Sequence, residues 1–250
     1  MPETMKSYQA PADLLKDRVI LITGAGGGIG SAAAKSFAAH GATVILLGRV
    51  TRKLEEVYDA VEQAGHPQPA IYPMDLEGAA PKHYQDLADT IEKEFGRLDG
   101  LLHNAAMLGT LTPLGQYGIE GWNKIMQINL NAPWLMTRAC LDLLRRSEDA
   151  SVVFTSAEVG RRGRAYWGAY GIANAAIENM MQIWSDELEA NTTVRMNSLD
   201  PGAVRTGMRN RAYPGEDPSS LPWPESIMAT YLYLMGPDSK GITGQQFNAQ

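Results

Sequence analysis

Short apolar runs without polar alternation recur along the chain, and amphipathic stretches separate them. Strands of a parallel sheet are covered on both faces, so they read as continuous runs of Val, Ile and Leu. This pattern predicts seven strands, at residues 18–23, 42–47, 69–74, 98–103, 151–156, 193–199 and 246–248. Apolar residues at helical spacing predict helices over residues 29–40, 52–64, 81–95, 119–144 and 167–190, with shorter pieces around residue 207 and over 223–235.

Strands that alternate with helices in this way are typical of right-handed βαβ units. The sequence therefore predicts an α/β fold with one Rossmann-like, doubly wound parallel sheet and helices on both faces. Because no linker or composition break divides the chain, we expect one domain over residues 1–250. Within it, residues 1–17 are predicted to form a polar leader, and residues 207–235 a substrate lid with helices.

Composition narrows the classes of function. A net charge of −6 argues against a general nucleic-acid binder. The single cysteine, Cys140, excludes an internal disulfide and makes a cysteine-based zinc site implausible, and no metal site is predicted. No apolar run reaches the length that a bilayer requires, and residues 1–18 carry no signal-like apolar segment, so we expect a cytoplasmic protein that does not contact membranes. Three arginines, Arg161, Arg162 and Arg164, are predicted to lie on a solvated loop.

A glycine cluster follows the first predicted strand and leads directly into the first helix. Gly24, Gly28 and Gly30 leave the backbone free to approach a ligand, and a helix N-terminus attracts phosphate groups. The spacing differs from the G-x-G-x-x-G fingerprint of dinucleotide-binding folds. We predict a phosphate-binding turn in which Ile29 also contacts the ligand; a loop without a ligand is the alternative.

With Thr23, the pattern Thr-Gly-x-x-x-Gly-x-Gly resembles the nucleotide turn of the short-chain dehydrogenases/reductases, a resemblance that extends over residues 17–248. It implies a nicotinamide cofactor in contact with polar residues at the strand ends. On this resemblance Asp75 contacts the adenine, and Asn104, within His103-Asn104-Ala105-Ala106, lies beside the adenosine and braces the sheet. The segment Pro201-Gly202-Ala203-Val204-Arg205-Thr206 resembles the family's nicotinamide segment, which implies cofactor contacts at Pro201, Gly202, Val204 and Thr206.

The residue after the second strand bears on the choice of cofactor. A free ribose 2′-hydroxyl is usually met by a carboxylate about 20 residues beyond the glycines. Here Arg49 occupies that place, and the next acidic residue is Glu55. Because a guanidinium suits a 2′-phosphate, we predict NADP(H) rather than NAD(H).

The family's catalytic residues are a Tyr and a Lys four residues apart on one helix, a Ser and an Asn. Tyr170 and Asn129 match this pattern, but Asn174 replaces the Lys and Ala157 replaces the Ser. Ser156 lies one residue away and takes the role of the Ser if the strand end bulges. Members of the similar bacterial branch of oxidoreductases keep both residues, so this site is degenerate by comparison.

These features predict an NADP(H)-dependent oxidoreductase that reduces a small carbonyl compound, because a neutral Tyr170 can donate a proton without the Lys. The alternatives are a catalytically inactive nucleotide-binding protein, acting as a sensor or binding partner, and an ordinary interface role for Tyr170 and Asn174. The resemblance further implies a homodimer or homotetramer through the helices at 119–144 and 167–190. Substrate-lining residues are expected in segments 107–114, 161–167 and 209–223.

Overall fold

The computed structural model describes residues 7–250; the first six residues of the predicted leader lie outside the described residues. One sheet holds seven strands in the order β3-β2-β1-β4-β5-β6-β7. Every neighbouring pair is parallel. The strands are β1 (Val19–Thr23), β2 (Thr43–Gly48), β3 (Ala70–Pro73), β4 (Gly100–His103), β5 (Ser151–Thr155), β6 (Arg195–Asp200) and β7 (Gln246–Asn248). The predicted fold class is confirmed, with strand ends displaced by two residues or fewer.

The helices follow the predicted order. They are α1 (Gly28–Ala39), α2 (Thr51–Gln63), α3 (Pro81–Phe95), α4 (Ile119–Met126), α5 (Ala132–Arg145), α6 (Glu158–Arg161), α7 (Gly168–Glu189), α8 (Gly207–Ala212) and α9 (Met228–Met235). A π-helical turn, Gln127–Asn131, joins α4 to α5. The predicted helix over 119–144 is therefore one helical segment in which the α-helical hydrogen-bonding pattern is interrupted at this turn. Helix α6 has no counterpart among the predicted elements, because four residues are too few to show helical periodicity.

Alternate residues of each strand point to opposite faces, and each face has its own core. Ile20 and Ile22 of β1 pack with α1, α2 and α9, whereas Val19 and Leu21 pack with α3, α5 and α7. Burial of both faces explains why the strands read as apolar runs without alternation.

The described part of the predicted leader packs against the first core. Leu14 and Leu15 are buried, and the Leu15 backbone nitrogen donates to the His40 carbonyl at 2.9 Å. In the predicted lid region, α8 lies over the cleft and α9 is buried in the first core. None of the helices within residues 7–250 is both long enough and apolar enough to cross a membrane.

Candidate cofactor-binding and catalytic cleft

A cleft of about 1280 Å³ runs along the edge of the sheet where β1, β2, β4, β5 and β6 end. The reversal of strand order between β1 and β4 opens a crevice there, because the chain proceeds outward in both directions from that point. Of the fifteen site residues predicted from the sequence, only Gly30 does not line the cleft; it is buried beneath the turn.

The glycine turn forms the floor of one half of the cleft. Gly24 and Gly28 have φ angles of +69° and +53°, a region that side chains with a Cβ rarely adopt. A Cβ on Gly30 would clash with the carbonyl oxygen of Gly24 and lie 2.7 Å from Nδ2 of Asn104. The absence of side chains therefore lets α1 approach β1 closely and leaves the backbone open to a ligand.

Thr23 and Asn104 link the ends of β1 and β4 by hydrogen bonds. Thr23 Oγ1 accepts hydrogen bonds from the backbone nitrogens of Asn104, at 2.9 Å, and Ala105, at 3.0 Å. The Asn104 amide nitrogen donates to the Thr23 carbonyl at 3.3 Å. Asn104 thus joins the ends of β1 and β4, and this geometry fits the bracing role that the resemblance implies.

Two cations lie beside the glycine turn. Arg49 and Lys53 are exposed and line the cleft, and neither forms an ion pair with another residue of the described chain. The Lys53 stem packs closely against Gly26, since a Cβ on that glycine would lie 3.0 Å from Lys53 Cβ. Asp75 also lines the cleft, and its Oδ1 accepts from the Glu77 nitrogen at 3.1 Å. An open glycine cradle beside two uncompensated cations fits a dinucleotide that carries phosphate groups.

Lys53 is a cleft residue that sequence reasoning missed. It lies four residues after Arg49, and the helix that begins at Thr51 brings it back toward the same phosphate-binding region. The spacing of four residues between Arg49 and Lys53 is the sequence signal that predicts a second cation at the same site.

At the opposite end of the cleft, Tyr170 and Asn174 lie one turn apart on α7. Burial raises the pKa of Tyr170 to about 12; hydrogen bonding by the Asn174 side chain opposes this rise and the charge of Asp200 adds to it. The Asn174 amide nitrogen donates to the Tyr170 carbonyl at 2.9 Å. Tyr170 is therefore a protonated phenol near neutral pH, and its neighbour on the helix is uncharged.

Ser156 continues β5 without a bulge. Its backbone nitrogen donates to the Leu199 carbonyl at 2.9 Å, in register with the pairing of Thr155 and Leu199. The Ser156 hydroxyl is buried and has no hydrogen-bond partner among residues 7–250. The condition for Ser156 to replace the family's Ser, a bulged strand end, is thus not met in this structure. Ala157, in the expected position, has no polar side-chain atom.

Asn129 lies in the π-helical turn between α4 and α5 and is buried. Its Oδ1 accepts from the Met107 nitrogen at 2.8 Å, and its Nδ2 donates to the Met107 carbonyl at 2.9 Å. Both ends of the amide are engaged in holding the loop that follows β4. The Asn129 side chain therefore shapes the cleft wall.

The segment after β6 crosses the cleft between its two ends. Asp200 accepts a hydrogen bond from the Gly202 nitrogen at 2.8 Å, and Thr206 caps α8 by accepting from the Arg209 nitrogen at 3.1 Å. The Thr206 methyl group would lie 3.6 Å from a Cβ on Gly28, so this segment faces the glycine turn. Burial raises the pKa of Asp200, a cleft carboxyl group that was not singled out from the sequence.

Aromatic rings cover the end of the cleft at which Tyr170 lies, referred to below as the chemical end. The Trp167 ring lies 5.7 Å from Tyr170 and 5.9 Å from Tyr213, between ring centroids. The Arg209 guanidinium stacks 3.8 Å above Tyr213 and pairs with Glu216 at 2.6 Å. These contacts connect the segment around α8 to the helix that carries Tyr170.

One prediction about this region was wrong. Arg161 was expected on a solvated loop, but it pairs with the buried Glu178 at 3.1 Å and bonds to residues of β7. Arg164 pairs with Glu158 at the cleft rim, at 2.7 Å. The partners are distant in sequence or on another element, so the local pattern of charges carried no sign of them.

His103 departs from the family pattern beside Asn104. Its ring stacks on Phe154, with 4.8 Å between centroids, and its Nε2 lies 2.8 Å from Thr137 Oγ1. Burial lowers the pKa of His103 to about 3, so the ring is neutral at physiological pH. Within residues 7–250, no group of three or more His, Cys, Asp or Glu residues is arranged to hold a metal ion.

Comparisons with known proteins agree with this geometry. The short chain dehydrogenase family model matches residues 18–217. The uncharacterized oxidoreductase YciK of Escherichia coli K12 is 46% identical over 243 residues, covering 97% of this chain and 96% of that protein. A solved short chain dehydrogenase structure from Pseudomonas syringae is 58% identical, with a TM-score of 0.96, and the match covers 97% of this chain and 98% of that one.

A second solved structure bears on the cofactor. It is a short chain dehydrogenase from Shigella flexneri complexed with NADP, 46% identical, with a TM-score of 0.93 and coverage of 96% of this chain and 100% of that one. Taken with the fold and the cleft, these matches establish the class: the chain belongs to the short-chain dehydrogenase family of oxidoreductases.

Proposed function

We propose that this protein is an NADP(H)-dependent oxidoreductase that reduces a small carbonyl compound to an alcohol, with Tyr170 as the proton donor. The observation that carries the proposal is the position of the Tyr170 phenol on the cleft wall, with its pKa raised to about 12. A neutral phenol is the form that can donate a proton to a carbonyl oxygen.

Arg49 and Lys53 support NADP(H) as the cofactor. Both cations are free of ion pairs among the described residues and lie where a ribose 2′-phosphate would follow from the glycine turn. The similar Shigella flexneri protein was solved with NADP. When bound, the nicotinamide would supply the hydride. The family resemblance implies that the Pro201–Thr206 segment contacts the nicotinamide and that Asn104 lies beside the adenosine.

Asn174 and Ala157, which replace the family's Lys and Ser, favour carbonyl reduction over alcohol oxidation. In the forward direction, Tyr170 gives its proton to the substrate oxygen and then recovers one from solvent through the open cleft. In the reverse direction it would have to act as a phenolate, which the uncharged Asn174 and the nearby Asp200 disfavour. The missing Ser donor at Ala157 is expected to cost on the order of 10²-fold in rate.

The alternative is a catalytically inactive nucleotide-binding protein. Two observations favour it: Ala157, at the position expected for the family's Ser, has no hydroxyl, and the Asn174 amide nitrogen is bonded to the Tyr170 carbonyl. In that case the cleft would bind the nucleotide and present it to a partner without turnover.

The first experiment measures NADPH oxidation with a panel of aldehydes, diketones and quinones. Wild type is compared with the double variant Ala157→Ser/Asn174→Lys, after NADPH binding has been verified for both. We expect turnover by the wild type and a gain of about 10²-fold in the double variant from the restored Ser donor and Lys charge. Turnover by the double variant alone would favour the inactive alternative instead.

We also propose a single domain over residues 1–250. Segment 207–235 would supply a substrate lid near Tyr170 through its part around α8, since α9 is buried in the first core. The family resemblance further supports a homodimer or homotetramer through the helices at 119–144 and 167–190. Trp134 on α5 and Ile183 on α7 are large apolar side chains that are about half exposed, which suits an interface on those helices.

A further inference from the structure

The last residues of the chain run along the cleft on the side of the nicotinamide segment. Strand β7 pairs with β6, and the pairing extends to Ala249, whose nitrogen donates to the Asp200 carbonyl at 2.9 Å. Asn248 and Gln250 both line the cleft. We refer to residues 246–250 as the C-terminal strap.

Gln250 holds the nicotinamide segment by its backbone. The side-chain Nε2 donates to the Pro201 carbonyl at 2.7 Å and to the Ala203 carbonyl at 3.0 Å. Because an amide NH₂ group carries two hydrogens, one side chain satisfies both carbonyls. Gly202, between them, has a φ of +71°, and a Cβ there would lie 2.9 Å from Gln250 Nε2. The segment and the strap therefore fit closely at this point.

This contact matters because the nicotinamide segment has no helix or strand of its own before α8. Its shape depends on the hydrogen bond from Gly202 to Asp200, the Thr206 cap, the bond from the Arg205 nitrogen to the Pro222 carbonyl at 2.9 Å and the two bonds from Gln250. A loop held by a few specific bonds is sensitive to the loss of any one of them.

The other end of the strap is fastened to the helix of Tyr170. Arg161 donates to the Asn248 Oδ1 at 2.6 Å and to the Phe247 carbonyl at 3.0 Å. Its Nε pairs with Glu178, which is buried on α7 one turn beyond Asn174. Glu178 also accepts bonds from Ser198 and Gln246. The strap thus connects the catalytic helix with the nicotinamide segment.

We propose that Gln250 is a positioning residue for the nicotinamide half of the cofactor site, with Arg161 anchoring the strap that carries it. By holding the Pro201 and Ala203 carbonyls, Gln250 keeps Val204 and Thr206 in place for the ligand. The proposal rests on the proposed binding of NADP(H) and is independent of turnover.

The test compares two ligands by equilibrium binding. NADPH contains the nicotinamide, whereas adenosine 2′,5′-bisphosphate contains the adenosine end alone. We expect Gln250→Met, which removes both donors without adding charge, to weaken NADPH binding about tenfold and leave the bisphosphate unchanged. The matched control is Gln245→Met, since Gln245 is an exposed glutamine of the same region that does not line the cleft.

Arg161→Lys provides a second variant. It keeps a positive charge opposite Glu178 but cannot make all of the guanidinium bonds. A smaller loss of NADPH affinity is expected, again without a change for the bisphosphate.

The outcomes separate this proposal from the reductase proposal. Equal losses for both ligands, or no loss for either, would overturn the role of Gln250 even if the wild type reduces carbonyl compounds. A selective loss for NADPH would support the role even if the wild type proves inactive.

Discussion

At the residue scale, burial and two neighbouring side chains set the pKa of the Tyr170 phenol. Burial raises its pKa most, Asn174 opposes the rise by hydrogen bonding, and the charge of Asp200 adds to it. A lysine at position 174 would favour the phenolate, whereas the asparagine found there has no charge to do so. In the proposed reaction, Tyr170 is therefore suited to donating a proton rather than to accepting one.

The first residue-scale prediction concerns pH. Because the pKa of Tyr170 is raised, its protonated form persists well above neutral pH, and kcat/KM for carbonyl reduction should show no alkaline loss between about pH 7 and pH 10. In Asn174→Lys the added charge lowers that pKa, so an alkaline loss should enter the same range. Tyr170→Phe should lose at least about 10²-fold in kcat/KM at every pH. Wild-type activity that falls with a midpoint near neutrality would contradict the assignment of Tyr170 as the acid.

The second residue-scale prediction concerns cofactor choice. Arg49→Asp places a carboxylate where a 2′-phosphate is proposed to bind, so the ratio of NADPH to NADH affinity should fall by more than about tenfold. Isothermal titration of both cofactors measures this ratio. Arg52→Asp is the matched control, because Arg52 is an exposed arginine that does not line the cleft and pairs with Glu56 at 3.6 Å. Unchanged NADPH affinity in Arg49→Asp would show that the phosphate binds elsewhere.

At the element scale, two helices next to the cleft pack closely against neighbouring segments at glycine residues. At the start of α1, Gly30 allows the helix to pack against the Gly24 carbonyl. At the start of α7, Gly160 allows α6 to pack on Asn174, since a Cβ on it would lie 2.7 Å from Asn174 Cβ. In both places a glycine serves the packing of two elements, and the ligand site depends on that packing.

The element-scale prediction compares two glycines of one turn. In Gly30→Ala, the added methyl group meets backbone that cannot give way cheaply, so we expect a loss of about 1–3 kcal/mol in the free energy of unfolding and a loss of NADPH binding. Gly27→Ala is the control, because a Cβ there meets no atom within 4 Å and its φ of 176° suits any residue. Denaturant unfolding compares the pair, and NADPH titration is applied to Gly30→Ala alone, because Gly27 itself lines the cleft. Equal stability of the two variants would contradict the packing argument.

At the scale of the whole molecule, one sheet separates two cores and places the large cleft where the strand order reverses. The binding and chemical ends of that cleft come from opposite halves of the chain, so neither half could form the site alone. On the outer surface, Trp134 and Ile183 leave apolar area on the two helices proposed for assembly, with exposed fractions of 45% and 51%.

The prediction at this scale is about assembly. Ile183→Asp should shift the protein toward monomer, because an unpaired carboxylate in an apolar interface is costly to desolvate. Sedimentation analysis over a range of concentrations measures the shift. Leu114→Asp serves as the control, since Leu114 is similarly exposed, at 58%, but lies outside both helices. An unchanged oligomeric state in Ile183→Asp would place the interface elsewhere.

The sequence alone determined the order and type of nearly all the elements. Buried parallel strands require apolar residues on both faces, and a phosphate-binding turn requires glycines, so both leave signals within a few neighbouring residues. The predicted strand ends also located cleft-lining residues such as Arg49 and Asn104, whereas Tyr170 and Asn174 on α7 came from the family resemblance.

The tertiary structure decided how those residues are used. Ser156 lines the cleft, but its backbone continues the regular pairing of β5 with β6, and its hydroxyl is buried without a hydrogen-bond partner among residues 7–250. Arg161 is only partly exposed because it pairs with Glu178 and bonds to β7, and Gln250 bonds to Pro201, which is 49 residues away in the sequence. Contacts between residues so far apart leave no periodic or local pattern, because they depend on packing that exists only once the sheet has formed.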